Sequence, residues 1–462
     1  MMNGNKKKPF GMADKIGYMF GDFGNDFSFL LSSMYLMKFY TDVMGVMPAL
    51  VGAMMMFARV VDAFTDVTMG QICDRSKPTK KGKFTPWIRR MCGPVALASF
   101  LMYATWFQNM PMSFKIIWMF ATYLLWGSIC YTGINIPYGS MASAISPEAK
   151  DRVQLSVWRT TGATLANIVI GVVLPLVVYY KNKAGNAIFS GSRMVVASLI
   201  CSICAVICYL LCYYLTTERV KIPQITEKFS LKELLKYLFT SRSLIAIDIA
   251  SLLLLLSKLT LNSMGNYIYP NYFGDAAGLS IATMTGSVLT LVMAVFVPFM
   301  VSKFGKKEIS SFASFVGAVM LIMAYFMHIK NMYLWLVIYT ISYLSIAIFD
   351  NLCWAMITDV IDDIEVKKGK RSDGSVYSVY SFARKLGQAL SSGITGVLLT
   401  MIGYTTVTAY NKNVVEGIYN ITCLVPAIGL ALFTITLIVI YPLGKKQVEK
   451  NINYLKNKNS NK

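Results

Sequence analysis

The chain has 462 residues, of which 55% are hydrophobic and 15% charged, with a mean hydropathy of +0.53 and a formal net charge of +21. This composition excludes an ordinary soluble globular protein and describes a polytopic membrane protein, in which the position of the basic residues matters more than their sum, so no nucleic-acid partner is expected. A single His and nine scattered Cys supply neither a metal-binding nor a disulfide framework.

In chain order, residues 1–15 read as a cytoplasmic tail, because the Lys cluster is not followed by a short apolar core and a small-residue cleavage site. Apolar windows of membrane-spanning length follow at 16–40, 48–72, 89–108, 115–145, 153–180 and 193–215. The stretch 216–242 is too polar to span. Within it Ser230 and Glu233 form a capping-box pattern ahead of LKELLKYLF, which predicts a short amphipathic surface helix in a cytoplasmic linker. Six more windows lie at 243–268, 279–302, 309–328, 333–360, 374–403 and 416–442, and a basic cytoplasmic tail occupies 443–462.

The basic residues test this map. Of the 44 Lys and Arg, 32 fall in segments on one side, 6 in loops on the other, and 6 inside predicted spans: Lys38, Arg59, Arg159, Lys258, Arg384 and Lys385. Only the loop pair 146–152 and 181–193 runs against the trend. Both termini are therefore expected to be cytoplasmic, in a cell inner (plasma) membrane. A basic turn follows the second span of each half, DRSKPTKKGKFTPWIRR and SKFGKKE. The expected fold class is an all-α membrane protein with twelve transmembrane helices in two six-helix bundles, 16–215 and 243–442, the plan of major facilitator transporters with a site near the midplane.

The intramembrane polar residues carry the chemistry. Arg59, Asp62 and Asp66 fall within about 60° of arc on one helix face. Charges at that depth face a bundle interior and pair there, so the trio is either an ion-pair lock or part of a binding and coupling site. Two carboxylates one turn apart repel when both are ionised, so such a pair shares a proton or holds a cation. In the first span Gly17, Gly21 and Gly24 make a small-residue face for close helix approach. Asp22 and Asp26 adjoin it. Asp26, about 15 Å along its helix, and Lys385, about eleven residues into its own, are expected at similar depth. Arg384 points about 100° away from Lys385 and is read as structural. Asn135 lies one turn from Pro137, whose missing N–H frees a carbonyl to coordinate a ligand or to bend the helix. Arg159 is a hydroxyl donor to a sugar or an interfacial anchor. Tyr35, Trp126, Tyr131, Tyr138, Trp158, Tyr377 and Tyr380 offer stacking faces or packing. The cysteines at 201, 204, 208 and 212 recur at helical spacing and read as packing residues.

The segments YMFGDFGNDF, YTDVMG, RVVDAFTDVTMG, GKFTPW, NIPYGS, TDVID and KRSDGSVYSVYSFARKLGQAL, in that order along the chain, resemble the signatures of the melibiose permease-like glycoside-pentoside-hexuronide:cation symporters. The resemblance implies a cation site of Asp62, Asp66 and Thr132, with Asn135 as a further oxygen. It implies a sugar site of Asp26, Arg159 and Lys385, with Asn135 and Tyr131 nearby. The family's tenth-span tryptophan position falls on either Asp350 or Trp354. Two departures stand out: Asn135 replaces an aspartate and Gly139 a tryptophan, so the pocket has one carboxylate fewer and more room. Galactoside selectivity is therefore not expected to carry over.

The function expected is secondary active symport of a glycoside, pentoside or hexuronide with a monovalent cation, Na+ or H+ with Li+ as a further candidate, by alternating access. No enzyme activity, cofactor or nucleic-acid partner is expected, and the monomer is taken as the working unit. Arg59 is assigned to holding the acids in place and Lys385 to coupling. The alternatives are a major facilitator carrier for a lipid or other organic solute, or a membrane sugar sensor that does not transport.

Overall fold

The computed structural model describes residues 9–183, 185–220, 241–369 and 373–460. The capping-box helix expected in the linker lies outside these residues, as does most of the N-terminal tail. The chain divides into two units, Met1–Lys228 and Phe229–Lys462.

The first unit holds six long helices: α1 (Met12–Asp42), α2 (Pro48–Arg75), α3 (Thr85–Leu101), α4 (Met112–Ile145), α5 (Ala149–Ile168, continuing to Val178) and α6 (Gly191–Leu215). The second holds α7 (Arg242–Tyr272), α8 (Ala277–Phe304), α9 (Lys306–Met327), α10 (Met332–Lys368), α11 (Asp373–Met401) and α12 (Lys412–Ile440), followed by a docked terminal helix α13 (Lys445–Ser460). Among the described residues, eight of the twelve are long and apolar enough to cross a membrane. The other four are α1, α2 and α11, which carry intramembrane charge, and the short α3.

Each unit repeats one packing scheme. In the first, α1 packs on α5 and α6, α3 on α6, and α2 on α4; in the second, α7 packs on α11 and α12, α9 on α12, and α8 on α10. The contacts are close because glycines stand at the crossings. A Cβ on Gly21 would lie 2.2 Å from the Tyr138 ring, and one on Gly24 would lie 3.2 Å from Cys208 Cβ. The small-residue face of α1 thus meets the cysteine face of α6, where Cys201, Cys208 and Cys212 are buried free thiols. Gly162 on α5 abuts the Met19 carbonyl, and Gly387 on α11 abuts the Leu252 carbonyl. With lipid on the outside, this backbone-to-backbone packing rather than a hydrophobic drive joins the helices.

At the end of the first unit where α1 begins, the chain leaving α6 is tied down. Arg219 grips Asp14 with both nitrogens, at 3.0 and 2.8 Å, and the Thr217 N–H donates to the same carboxylate at 3.0 Å. The buried Glu218 carboxylate accepts from the backbone N–H groups of Lys83, Phe84 and Thr85 at 2.6–2.8 Å and from the Thr85 hydroxyl at 2.7 Å. It satisfies donors that the first turn of α3 would otherwise leave bare. In the second unit Asp363 on α10 accepts from Ser243 at 2.7 Å and from Asn451 at 3.3 Å, which fixes α13 against the bundle.

One feature differs from the helices-only expectation. The loop after α5 contains a two-stranded antiparallel hairpin, Tyr179–Lys181 with Ala187–Phe189. The Asn182 side chain accepts from the Asn186 N–H at 2.9 Å and Gly185 takes φ +81°, the local chemistry of a tight turn.

Candidate functional site

The acids of α2 face hydroxyls of α4 in register. Ser128 donates to Asp62 Oδ1 at 2.6 Å and Thr132 donates to Asp66 Oδ1 at 2.8 Å. Both pairs are spaced four residues apart, so two rungs one helical turn apart join the helices. Arg59 completes the upper rung, donating to Asp62 Oδ2 at 3.2 Å, with its guanidinium 5.3 Å from the Phe29 ring centroid. Arg59 and Asp62 are both buried, whereas Asp66 is half-buried.

The rungs sit on an irregular stretch. Leu125–Tyr131 of α4 is π-helical, a widening that recurs at functional sites. Within it the Gly127 carbonyl accepts from the Thr132 hydroxyl at 3.2 Å, and a Cβ on Gly127 would stand 3.6 Å from Asp62 Oδ1. Gly127 thus packs directly beside the carboxylate that Ser128 donates to.

Asn135 is turned elsewhere. It accepts from Asn25 of α1 at 3.4 Å, and Asn25 in turn accepts from the Tyr209 hydroxyl of α6 at 2.9 Å. Of the four residues expected at a cation, Asp62, Asp66 and Thr132 are thus drawn together, while Asn135 bridges toward α1. Ser128 stands on the acids in addition.

Arg159 of α5 donates through Nε to Asp22 Oδ1 at 2.9 Å, with its guanidinium 5.4 Å from the centroid of Tyr138. Its side chain keeps 42% of its surface open, while Asp22 is buried. Asp26 lies one turn further along α1 and is half-buried. Tyr131 stacks near Phe29, centroids 6.0 Å apart, and lies 5.3 Å from the buried Trp126. Arg159, Asp22 and the Tyr18–Tyr138 stack form one wall, and Tyr131 with Asp26 continues it along α1 and α4.

In the second unit Asp350 of α10 is held by Lys258 of α7 at 2.5 Å, each about one-quarter exposed. Trp354, one turn beyond Asp350, meets Tyr380 edge to face at 5.3 Å. Arg384 sits over both rings, 5.6 and 5.8 Å from their centroids. Both candidates for the tenth-span position are therefore on the same face of α10, with different partners: a cation for Asp350, and an aromatic ring and a guanidinium for Trp354. Lys385 is half-buried on α11 beside Arg384. The side chain of Tyr377 lies outside the described residues.

Sequence reasoning left three side chains of the candidate site unassigned. Ser128 was detectable from its four-residue spacing to Thr132, which copies that of Asp62 and Asp66. Lys258 was visible as an intramembrane charge, but its pairing with Asp350 was not. Asp22 was seen beside Asp26, yet nothing in the sequence says that Arg159 reaches the first rather than the second.

Two six-helix units built on one scheme, with polar side chains paired between their helices, define a membrane transporter of the major facilitator fold. A solved bacterial homologue of the human lysosomal transporter Spinster has that fold, with a TM-score of 0.67 at 10% identity over 95% of this chain and 97% of that one. The chain belongs to the MFS/sugar transport protein family, whose model matches residues 17–445. It is 30% identical to the uncharacterized symporter YjmB of Bacillus subtilis (strain 168) over 96% of this chain and 94% of that one. It is 29% identical to the glucuronide carrier protein homolog of Escherichia coli (strain K12), over 94% and 93%.

Proposed function

We propose that the protein is a secondary active symporter that imports a glycoside, pentoside or hexuronide with a monovalent cation by alternating access. The observation that carries this reading is the double rung of Asp62–Ser128 and Asp66–Thr132 with one guanidinium on the first acid. Two carboxylates against Arg59 leave the trio with one formal negative charge. One Na+ or one proton neutralises it, and the hydroxyl and carboxylate oxygens on the rungs suit a hard cation such as Na+ or Li+. The sugar is assigned to Asp26, Tyr131, Asn135 and Arg159 in the first unit and to Asp350, Trp354 and Lys385 in the second, with Lys385 also serving coupling. The curated names of relatives, a glucuronide carrier and an isoprimeverose transporter among them, favour a sugar as cargo.

Moving one positive charge inward yields about 2.3 kcal/mol per 100 mV, enough for roughly fiftyfold accumulation. Cation occupancy relieves the repulsion between the acids and organises the sugar site, so the fully loaded carrier reorients and the half-loaded one does not. The monomer is the working unit, it lies in the cell inner membrane with both termini cytoplasmic, and it performs no covalent chemistry and needs no cofactor.

The test is uptake of a glycoside panel into proteoliposomes under imposed Na+, Li+ or H+ gradients. Accumulation driven by one of these gradients, lost in Asp62→Asn while downhill exchange persists, supports the reading. Full uphill transport by Asp62→Asn would remove the cation assignment, and uptake of a lipid or another solute instead of any glycoside would replace the sugar.

A further inference from the structure

At the end of the first unit where α1 begins, a cavity of about 530 Å³ opens between the loop before α3, the first turns of α3 and the end of α6. Its lining is Thr79, Lys80, Lys81, Pro86, Arg89, Arg90 and Tyr213. Four of these seven residues are cations and none is an acid. Glu218, a carboxylate bound to the loop's end, is buried and turned inward onto the N–H groups of Lys83, Phe84 and Thr85. Lys81 and Arg89 both lie over the Tyr213 ring, at 5.4 and 5.5 Å from its centroid, which holds two of the charges at one place. Arg90 lies over Trp87 at 5.6 Å.

The cavity does not stand alone. Along the outer face of α3, Arg89 and Arg90 are followed by exposed Gly93, Pro94 and Leu97. On α6, which packs against α3, Tyr214, Ile207 and Ile203 are likewise exposed. An apolar outer face therefore begins where the cationic cavity stops. Basic pockets at a helix end bind anionic headgroups when the adjoining surface accepts acyl chains. A soluble phosphate ester would use the cations and leave the apolar face idle.

We propose that this cavity is a binding site for an anionic phospholipid. The phosphate lies among Lys80, Lys81, Arg89 and Arg90, Tyr213 backs the headgroup, and the acyl chains run along Gly93, Pro94 and Leu97 of α3. Four cations against one phosphodiester favour a headgroup with two phosphates, so cardiolipin binds more tightly than phosphatidylglycerol, and phosphatidylcholine binds weakly.

The experiment uses the purified full chain in detergent and reads lipid occupancy by native mass spectrometry, alongside the melting temperature, on titration with cardiolipin, phosphatidylglycerol or phosphatidylcholine. The expected order of affinity is cardiolipin, phosphatidylglycerol, phosphatidylcholine, and only the two anionic lipids raise the melting temperature. The Arg89→Gln/Arg90→Gln variant loses about fivefold in cardiolipin affinity per side chain removed, or about 25-fold for the pair. Leu97→Asn weakens cardiolipin but not inorganic phosphate. Lys446→Gln/Lys450→Gln on α13, which removes the same number of charges elsewhere, changes neither. Equal binding of phosphatidylcholine would overturn the proposal, as would unchanged cardiolipin affinity in a folded Arg89→Gln/Arg90→Gln variant. Displacement of cardiolipin by millimolar inorganic phosphate would also overturn it, by making the cavity a site for a free anion.

Discussion

Arg159 donates its Nε–H to Asp22 on the neighbouring helix at 2.9 Å, although Asp26 stands one turn away. The pair is half open, because two-fifths of the arginine side chain remains accessible and can still turn its other nitrogens to a ligand. Asp22→Asn and Asp26→Asn are therefore expected to separate. The first lowers the thermal stability of the purified protein by about 1 kcal/mol, since it removes the partner of an incompletely buried charge. The second acts chiefly on transport and raises the KM for sugar. A combined melting and uptake series on the two variants checks this, and equal effects on KM and melting temperature would contradict it.

The two rungs predict graded responses to loss of a hydroxyl. Ser128→Ala strips one donor from the buried Asp62, which costs about 1 kcal/mol, or roughly fivefold in the cation concentration for half-maximal uptake. Thr132→Val should act in the same direction, while Thr132→Ser, which keeps the hydroxyl, should retain most of the affinity. Uptake titrated against Na+ and against pH reads both.

Those rungs also mark how far the sequence is legible. Periodicity places Arg59, Asp62 and Asp66 on one face, and the spacing of Ser128 and Thr132 repeats the spacing of the acids, so both sides of the contact are written in the primary structure. The register between the helices is not. It depends on the π-helical turn at Leu125–Tyr131, which has no signature in hydropathy. The same limit explains Asp350, which reads as an isolated acid until Lys258 arrives from a helix 92 positions away. Long-range pairing of this kind is set by packing, and apolar windows are blind to it. The helix count, by contrast, needs only segments of spanning length and the distribution of basic residues.

Arg59 and Asp62 are a buried pair, so the cost of breaking them depends on which partner goes. Arg59→Met leaves a buried carboxylate with its hydroxyl donor alone, a loss of about 3 kcal/mol. The double variant Arg59→Met/Asp62→Asn removes both charges and should recover much of that stability without recovering uphill transport. Calorimetry and counterflow on the single and double variants distinguish this from independent action, under which the two losses would simply add.

Gly162 and Gly387 occupy equivalent crossings in the two units, on α5 against Met19 and on α11 against Leu252. A Cβ would approach the facing carbonyl oxygens to 2.4 and 2.9 Å, so Gly162→Ala is expected to be the more damaging. Each change forces two helices apart, and overpacking of this kind costs about 1 to 3 kcal/mol. Lower melting temperatures with the order Gly162→Ala below Gly387→Ala would bear this out.

Arg384, read from the sequence as structural, lies over Trp354 and Tyr380 with no ion pair among the described residues. Lys258 is the salt-bridge partner of Asp350, whereas Arg384 is held by aromatic faces, so an acidic group on the sugar is expected to meet Arg384. Arg384→Gln should therefore raise the KM for p-nitrophenyl glucuronide about tenfold more than that for p-nitrophenyl glucoside. Competition of each against one labelled substrate measures the ratio, and an unchanged ratio would remove acidic sugars from the reading.

The clasp of Arg219 on Asp14 joins residues 205 positions apart. Asp14 lies in the first turn of α1 and is made before the other helices of its unit, and its partner emerges only after the sixth helix is complete. The first unit thus holds an acid in waiting through the synthesis of its six helices, and its closing stitch is made by the segment that leads toward the second. The clasp therefore cannot close before the connecting segment has begun to be made.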